Sequence, residues 1–194
     1  MKVLFVVDGR SPIALNWIRY LVEQEHEVHL ASIYPCQPDL ELASLSIIPV
    51  AFSGAVVSGG QEKTGAGVKS RLLKAIATPK IRTWLRQRFV PRSLPKAANQ
   101  LGSLISEIQP DIVHAMRVPY EGMQAAKACS ALPTPGCPLL VSIWGNDFTL
   151  HAPATRLMTR LTRFTLEHAD GLHTDCYRDQ SLAQEWGFDP GKPA

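Results

Sequence analysis

Short apolar runs alternate along the chain with stretches whose apolar positions recur every three or four residues. Residues 2–7 form a continuous apolar run of the kind buried on both faces in a parallel sheet. Residues 28–33, 46–52, 111–115, 139–144 and 171–174 read as further strands. Between the first two, Ile13/Ala14, Trp17/Ile18 and Leu21/Val22 repeat every four residues, which predicts a helix with one apolar face. Ser11 supplies its cap and Pro12 its first turn. Further helices are expected at 68–77, 79–89, 95–108, 121–131, 153–168 and 177–186, the last closed by Gly187. Strand–helix repetition of this kind demands right-handed crossovers, hence a doubly wound, mostly parallel α/β sheet of about six to seven strands with helices on both faces. In such sheets ligands bind beyond the carboxyl ends of the strands, so the loops after Val7, Ala115 and Trp144 matter most.

Composition agrees with a packed domain. The 194 residues are 45% hydrophobic and 19% charged, which supplies a core and excludes a disordered or collagen-like chain. At roughly 150 residues per domain this is one large domain or barely two. No apolar stretch approaches the ~18 residues of a membrane span. Asp8 cuts the opening run too early for a secretory signal, so a cytoplasmic protein is expected. Cys36, Cys129, Cys137 and Cys176 lack C-x-x-C spacing and read as isolated thiols, with no metal expected. Net charge is only +3, yet between Glu62 and Glu107 there is no acidic residue and ten of the 20 basic ones. Lys69, Arg71, Lys74, Arg82, Arg86 and Arg88, interleaved with Leu72, Leu73, Trp84 and Leu85, suit an anionic membrane surface or a phosphorylated ligand. They equally suit a solvated face over the sheet. Arg156, Arg160 and Arg163 add a second basic stripe. No recognition motif accompanies the charge, so nucleic acid is not expected.

Several motifs fail on inspection. The first turn, Asp8-Gly9-Arg10-Ser11-Pro12, has a single glycine, and the second strand ends without a carboxylate for a ribose, which excludes a dinucleotide fingerprint. Gly65-Ala66-Gly67-Val68-Lys69-Ser70 mimics a P-loop but is interrupted by Val68. His26-Glu27-Val28-His29 has the wrong spacing for a zinc helix, and no G-x-S-x-G elbow occurs. Three loops remain. In the first, the helix N-terminus with Gly9, Arg10 and Ser11 could hold a phosphate or sugar hydroxyl, or be an ordinary capped turn. In the second, His114 and Arg117 close the fourth strand; His114 could bind a hydroxyl or shuttle a proton, or be a structural histidine. In the third, Trp144, Gly145, Asn146 and Asp147 offer an aromatic platform and polar groups, or a turn stabilised by Asp147.

Four motifs in order give the chain a family resemblance. Glu25-His26-Glu27-Val28, Pro110-Asp111-Ile112-Val113-His114-Ala115, Val141-Ser142-Ile143-Trp144-Gly145-Asn146-Asp147 and Glu167-His168-Ala169-Asp170-Gly171-Leu172 resemble the N-terminal domain of retaining, family-4-type glycosyltransferases of the GT-B fold. The likeness covers essentially the whole chain. It departs where that family commonly has paired glycines after strand one, and where Met116 and Trp144 replace histidines. What the resemblance implies is an enzyme transferring a sugar with retention from a nucleotide-sugar donor, without cofactor, to a sugar or lipid-linked acceptor. The N-terminal domain would hold the acceptor, and a C-terminal domain absent from this chain would hold the donor. On that reading residues 1–188 are the Rossmann-like domain, residues 189–194 begin a linker, and the 194 residues alone are inactive. His114 and Asp147 then become the catalytic candidates, and Gly9, Arg10, Ser11, Arg117, Trp144, Gly145 and Asn146 the acceptor-binding ones. The protein would be cytoplasmic and membrane-peripheral. The rival reading is a non-catalytic module that binds a phosphosugar or a lipid surface.

Overall fold

A computed structural model describes residues 1–50, 79–132 and 136–194, with the backbone alone for residues 79–86 and 88–90. Six strands form one all-parallel sheet: β1 (Lys2–Val7), β2 (Glu27–Ser32), β3 (Ser44–Ile47), β4 (Ile112–Ala115), β5 (Leu139–Ser142) and β6 (Gly171–His173). Their order is β3-β2-β1-β4-β5-β6. The chain reverses its direction of travel between β1 and β4, which are hydrogen-bonded neighbours with Phe5 opposite His114. A crevice therefore opens at their carboxyl ends, the topological switch point where such sheets place ligands.

Alternation along the strands divides the core in two. Val3, Phe5 and Val7 of β1 pack with Val28, Leu30 and Met116 under α1 (Pro12–Glu23). Leu4 and Val6 point the other way, toward α2 (Pro79–Ile108), α3 (Met123–Ser130), α4 (Arg156–His168) and α5 (Tyr177–Glu185). α2 buries Leu94, Ala97, Ala98, Leu101 and Ile105, a stripe at three- and four-residue spacing. Each fully buried leucine in it contributes about 2 kcal/mol.

Several expected boundaries are corrected. The expected helices 79–89 and 95–108 are one helix through Pro91 and Pro95. Each proline removes one intrahelical donor, but the buried stripe from Leu94 onward holds the helix to the sheet regardless. β3 spans Ser44–Ile47, starting two residues before the expected 46–52, since pairing begins where Ser44 meets His29, and residues 51–52 lie outside the described residues. α4 begins at Arg156, not 153, because Thr155 caps it by accepting from the Met158 N–H at 3.1 Å. The helix expected at 121–131 starts at Met123, and the preceding residues make a wider turn. The expected helix at 68–77 and the cations Lys69, Arg71 and Lys74 lie outside the described residues, as do the side chains of Arg82, Arg86 and Arg88. No helix among the described residues is long and apolar enough to cross a membrane.

Candidate functional site

The loops after β1, β4 and β5 meet around a cavity of about 200 Å³ at the carboxyl rim. Arg10 and Ser11 come from the first loop, Arg117, Tyr120 and Glu121 from the second, and Trp144 from the third. Tyr34, just beyond β2, completes the near wall.

Gly9 lets the first loop turn this tightly. A Cβ there would lie 2.5 Å from Cys36 Sγ and 3.0 Å from Ser32 Oγ. Its N–H donates to the buried Ser32 hydroxyl at 3.0 Å, and that hydroxyl donates on to the Tyr34 carbonyl at 2.6 Å. Tyr34 is thereby fixed under Arg10, whose guanidinium carbon lies 3.8 Å from the ring centroid. Arg10 is also held edge-on by Asp8, Nε to Oδ1 and the terminal nitrogen to Oδ2, both at 2.9 Å. That carboxylate raises the Arg10 pKa and holds the group charged. Ser11 caps α1 by accepting from the Ala14 N–H at 3.5 Å.

Arg117 repeats the arrangement on the far wall. Its guanidinium donates to Asp147 Oδ1 at 3.1 Å and to Asn146 Oδ1 at 3.0 Å, and stands 5.1 Å from the Trp144 ring centroid. Asp147 itself is 1% exposed. Its Oδ2 accepts from the Val118 and Trp144 N–H groups, each at 3.1 Å. Burial raises the Asp147 pKa, while Arg117 and the two amides pull it back. With its side chain fully enclosed, Asp147 ties the β4 and β5 loops together and aims Arg117. The tight turn it holds carries Gly145, whose carbonyl accepts from Arg178 at 3.2 Å. Beyond it residues Asp147–His151 form a wide turn, closed by the Ala152 N–H on the Asp147 carbonyl at 2.9 Å.

The β4 loop is the most strained part of the wall. Residues Val118–Gly122 make a wide turn in which Tyr120 sits at φ 70°, ψ −61°, a γ-turn conformation that side chains rarely adopt. Gly122 closes it, donating to the Arg117 carbonyl at 2.8 Å. A Cβ on Gly122 would lie 2.7 Å from that same oxygen. The turn delivers Glu121 to the cavity wall, where burial pushes its pKa up to about 8 against the pull of Arg117.

His114 lies elsewhere. On the α1 face of β4, it places Nε2 2.8 Å from the buried Ser142 hydroxyl, which is 3.3 Å from Nδ1 of His173. Its ring packs on Phe5 at 5.2 Å. Burial, with the nearby His173, lowers its pKa to about 4, so it is neutral at pH 7. It is not among the described residues that line the cavity.

The structure thus brings Arg10, Ser11, Arg117 and Trp144 together, sets Gly9, Gly145, Asn146 and Asp147 behind them, and leaves His114 apart. Sequence reading missed Tyr34 and Glu121, and placed Tyr120 in the β4 loop without giving it a role. The available signal was Pro119 and Gly122 bracketing Tyr120-Glu121, a turn composition inside what periodicity alone continues as helix. Asp175, Cys176 and Asp179 are the one group of potential metal ligands among the described residues, within 4.8 Å of one another near the start of α5. Arg178 already neutralises Asp179 there, at 2.7 Å.

An all-parallel, doubly wound sheet with its cavity at the switch point defines a Rossmann-like domain of the type that makes up half of a GT-B fold. Residues 8–194 match the glycosyl transferase 4-like domain, and the chain belongs to that family. No curated protein matches it in sequence. Among solved structures it is similar to a putative UDP-N-acetylglucosamine 2-epimerase from Listeria monocytogenes, with TM-score 0.56 and 13% identity over 99% of this chain and 43% of that one. A UDP-GlcNAc 2-epimerase from Methanocaldococcus jannaschii matches with TM-score 0.53 and 11% identity over 100% of this chain and 45% of that one. The Streptomyces glycosyltransferase SsfS6 gives TM-score 0.44 at 18% identity, over 100% of this chain and 49% of that one. At these identities the two epimerases show a shared fold alone, and the chain spans less than half of each of the three.

Proposed function

We propose that this chain is the acceptor-binding half of a glycosyltransferase that moves a sugar from a nucleotide-sugar donor, with retention at the anomeric carbon. One observation carries the reading: the rings of Tyr34, Tyr120 and Trp144 and two fixed guanidinium groups line a single cavity at the switch point of a family domain. Aromatic faces suit the apolar faces of a pyranose, and rigid paired charges suit its hydroxyls. In the reaction an acceptor oxygen bonds to the anomeric carbon, the bond to the leaving phosphate breaks, and the hydroxyl proton departs with that phosphate. The chain's share is orientation: Asp147 positions Arg117, and Asp8 positions Arg10. Donor phosphate neutralisation falls to groups outside these residues.

The test uses the product of the complete reading frame, assayed for nucleoside diphosphate release from a panel of nucleotide-sugars and acceptors. Arg117→Ala should lower kcat/KM for acceptor by roughly 100-fold, the scale of a lost orienting group, while donor KM stays unchanged. Absence of any donor turnover, or an Arg117→Ala enzyme of full activity, would overturn the assignment.

A further inference from the structure

Glu121 stands apart from the ion pairs that flank its cavity. Asp8 answers Arg10 and Asp147 answers Arg117, each as a close pair. The Glu121 carboxyl accepts a hydrogen bond from its own main-chain N–H. It is 3% exposed and lines the cavity, carried there by the strained turn at Tyr120. A backbone held in so costly a conformation to deliver one acid into a cavity is a mark of a binding group rather than a packing one.

The charges fix the kind of ligand. The groups facing Glu121 are Asp8, Arg10, Arg117 and Asp147 together with the phenols Tyr34 and Tyr120. Two cations and two anions cancel. The α1 N-terminus adds little for an anion: Pro12 has no N–H, and the Ala14 N–H is capped by Ser11. A phosphate entering here would find both arginines committed and an acid in the wall.

We propose that the cavity takes an uncharged, hydroxyl-rich acceptor, and that Glu121 is a specificity-determining residue exchanging a hydrogen bond with one of its hydroxyls. The inference rests on the cavity being the acceptor site and narrows the acceptor to neutral sugars or the neutral sugar moiety of a larger glycoside. Below about pH 8 the carboxyl is protonated and both donates and accepts. Above that it is an ion in an enclosed wall and only accepts.

Dicyclohexylcarbodiimide, which reacts with protonated carboxyls, tests this on the chain itself, with the labelled residue located by mass spectrometry. Glu121 should label at neutral pH, at a rate falling about tenfold per unit above pH 8. A mixture of methyl pyranosides should slow labelling, and inorganic phosphate should not. In the complete enzyme Glu121→Ala should raise acceptor KM about tenfold with kcat preserved, and Glu121→Gln, which still donates and accepts, should restore KM. An unlabelled Glu121, protection by phosphate alone, or no protection by the glycosides would overturn the proposal. Protection by glycosides in a protein that transfers no sugar would instead sink the transferase reading and leave the neutral-sugar site standing.

Discussion

Asp147 is the residue on which the cavity wall depends most. Its two oxygens take four hydrogen bonds from Arg117, Val118 and Trp144, so its loss strands one buried amide, one part-buried amide and a half-buried guanidinium. Asp147→Ala should cost about 3 kcal/mol in urea unfolding, the scale of a broken buried pair. Combining it with Arg117→Ala should cost less than the sum of the two, since each single variant leaves the other partner unpaired. Glu121 acts in the opposite sense. Its folded pKa of about 8 lies above the ordinary 4.5, so the native state holds a proton that the unfolded chain has released. Its contribution is present in full below pH 4.5 and is lost as pH rises through 8, at up to about 1.4 kcal/mol per unit. His114 has the reverse sign: lowered from 6.5 to about 4, it loses stability as pH falls across that window. The difference between the wild type and Glu121→Gln isolates the acid. The variant should be the more stable at pH 8, and the gap should shrink toward pH 5 in urea titrations at both values.

At the scale of elements, the wide turn after β4 carries Tyr120 and Glu121 to the cavity and the one after β5 holds Asp147 behind Arg117, and both are invisible to periodicity. Strands, crossover direction and the three rim loops were legible because a buried parallel strand writes a continuous apolar run. The helix through Pro91 and Pro95 was not, because proline is a strong local breaker and the tertiary stripe that overrides it emerges only once the sheet is in place. Site residues divide the same way. Arg10 and Arg117 could be read from their loop positions. The placement of Glu121 depends on the positive φ of Tyr120, which nothing in that residue's own chemistry foretells. The β4 turn also yields a direct test. Gly122→Ala should destabilise by about 1–3 kcal/mol through overpacking against the Arg117 carbonyl, and it should lower affinity for methyl pyranosides, because the clash moves the loop carrying Glu121. Unchanged melting in this variant would contradict the tightness of that turn.

For the whole molecule, charge and edges matter more than any one contact. Arg156, Arg160 and Arg163 are exposed along α4, about one turn apart. If this stripe meets an anionic bilayer, as we propose for a peripheral enzyme, each cation contributes about 1 kcal/mol. Replacing all three by Gln should then cut co-sedimentation with phosphatidylserine vesicles by roughly 100-fold, and equal pelleting with neutral vesicles would argue against it. At β6, the residues after α5 fold back on the sheet. The Leu172 N–H donates to the Pro193 carbonyl at 2.9 Å, and Lys192 reaches the carbonyls of Glu167 and Ala169. A border strand with bare amides invites a stranger's backbone to zip onto it. Here the segment around Pro193 occupies that seam, so filament-like stacking through β6 must first peel that segment away.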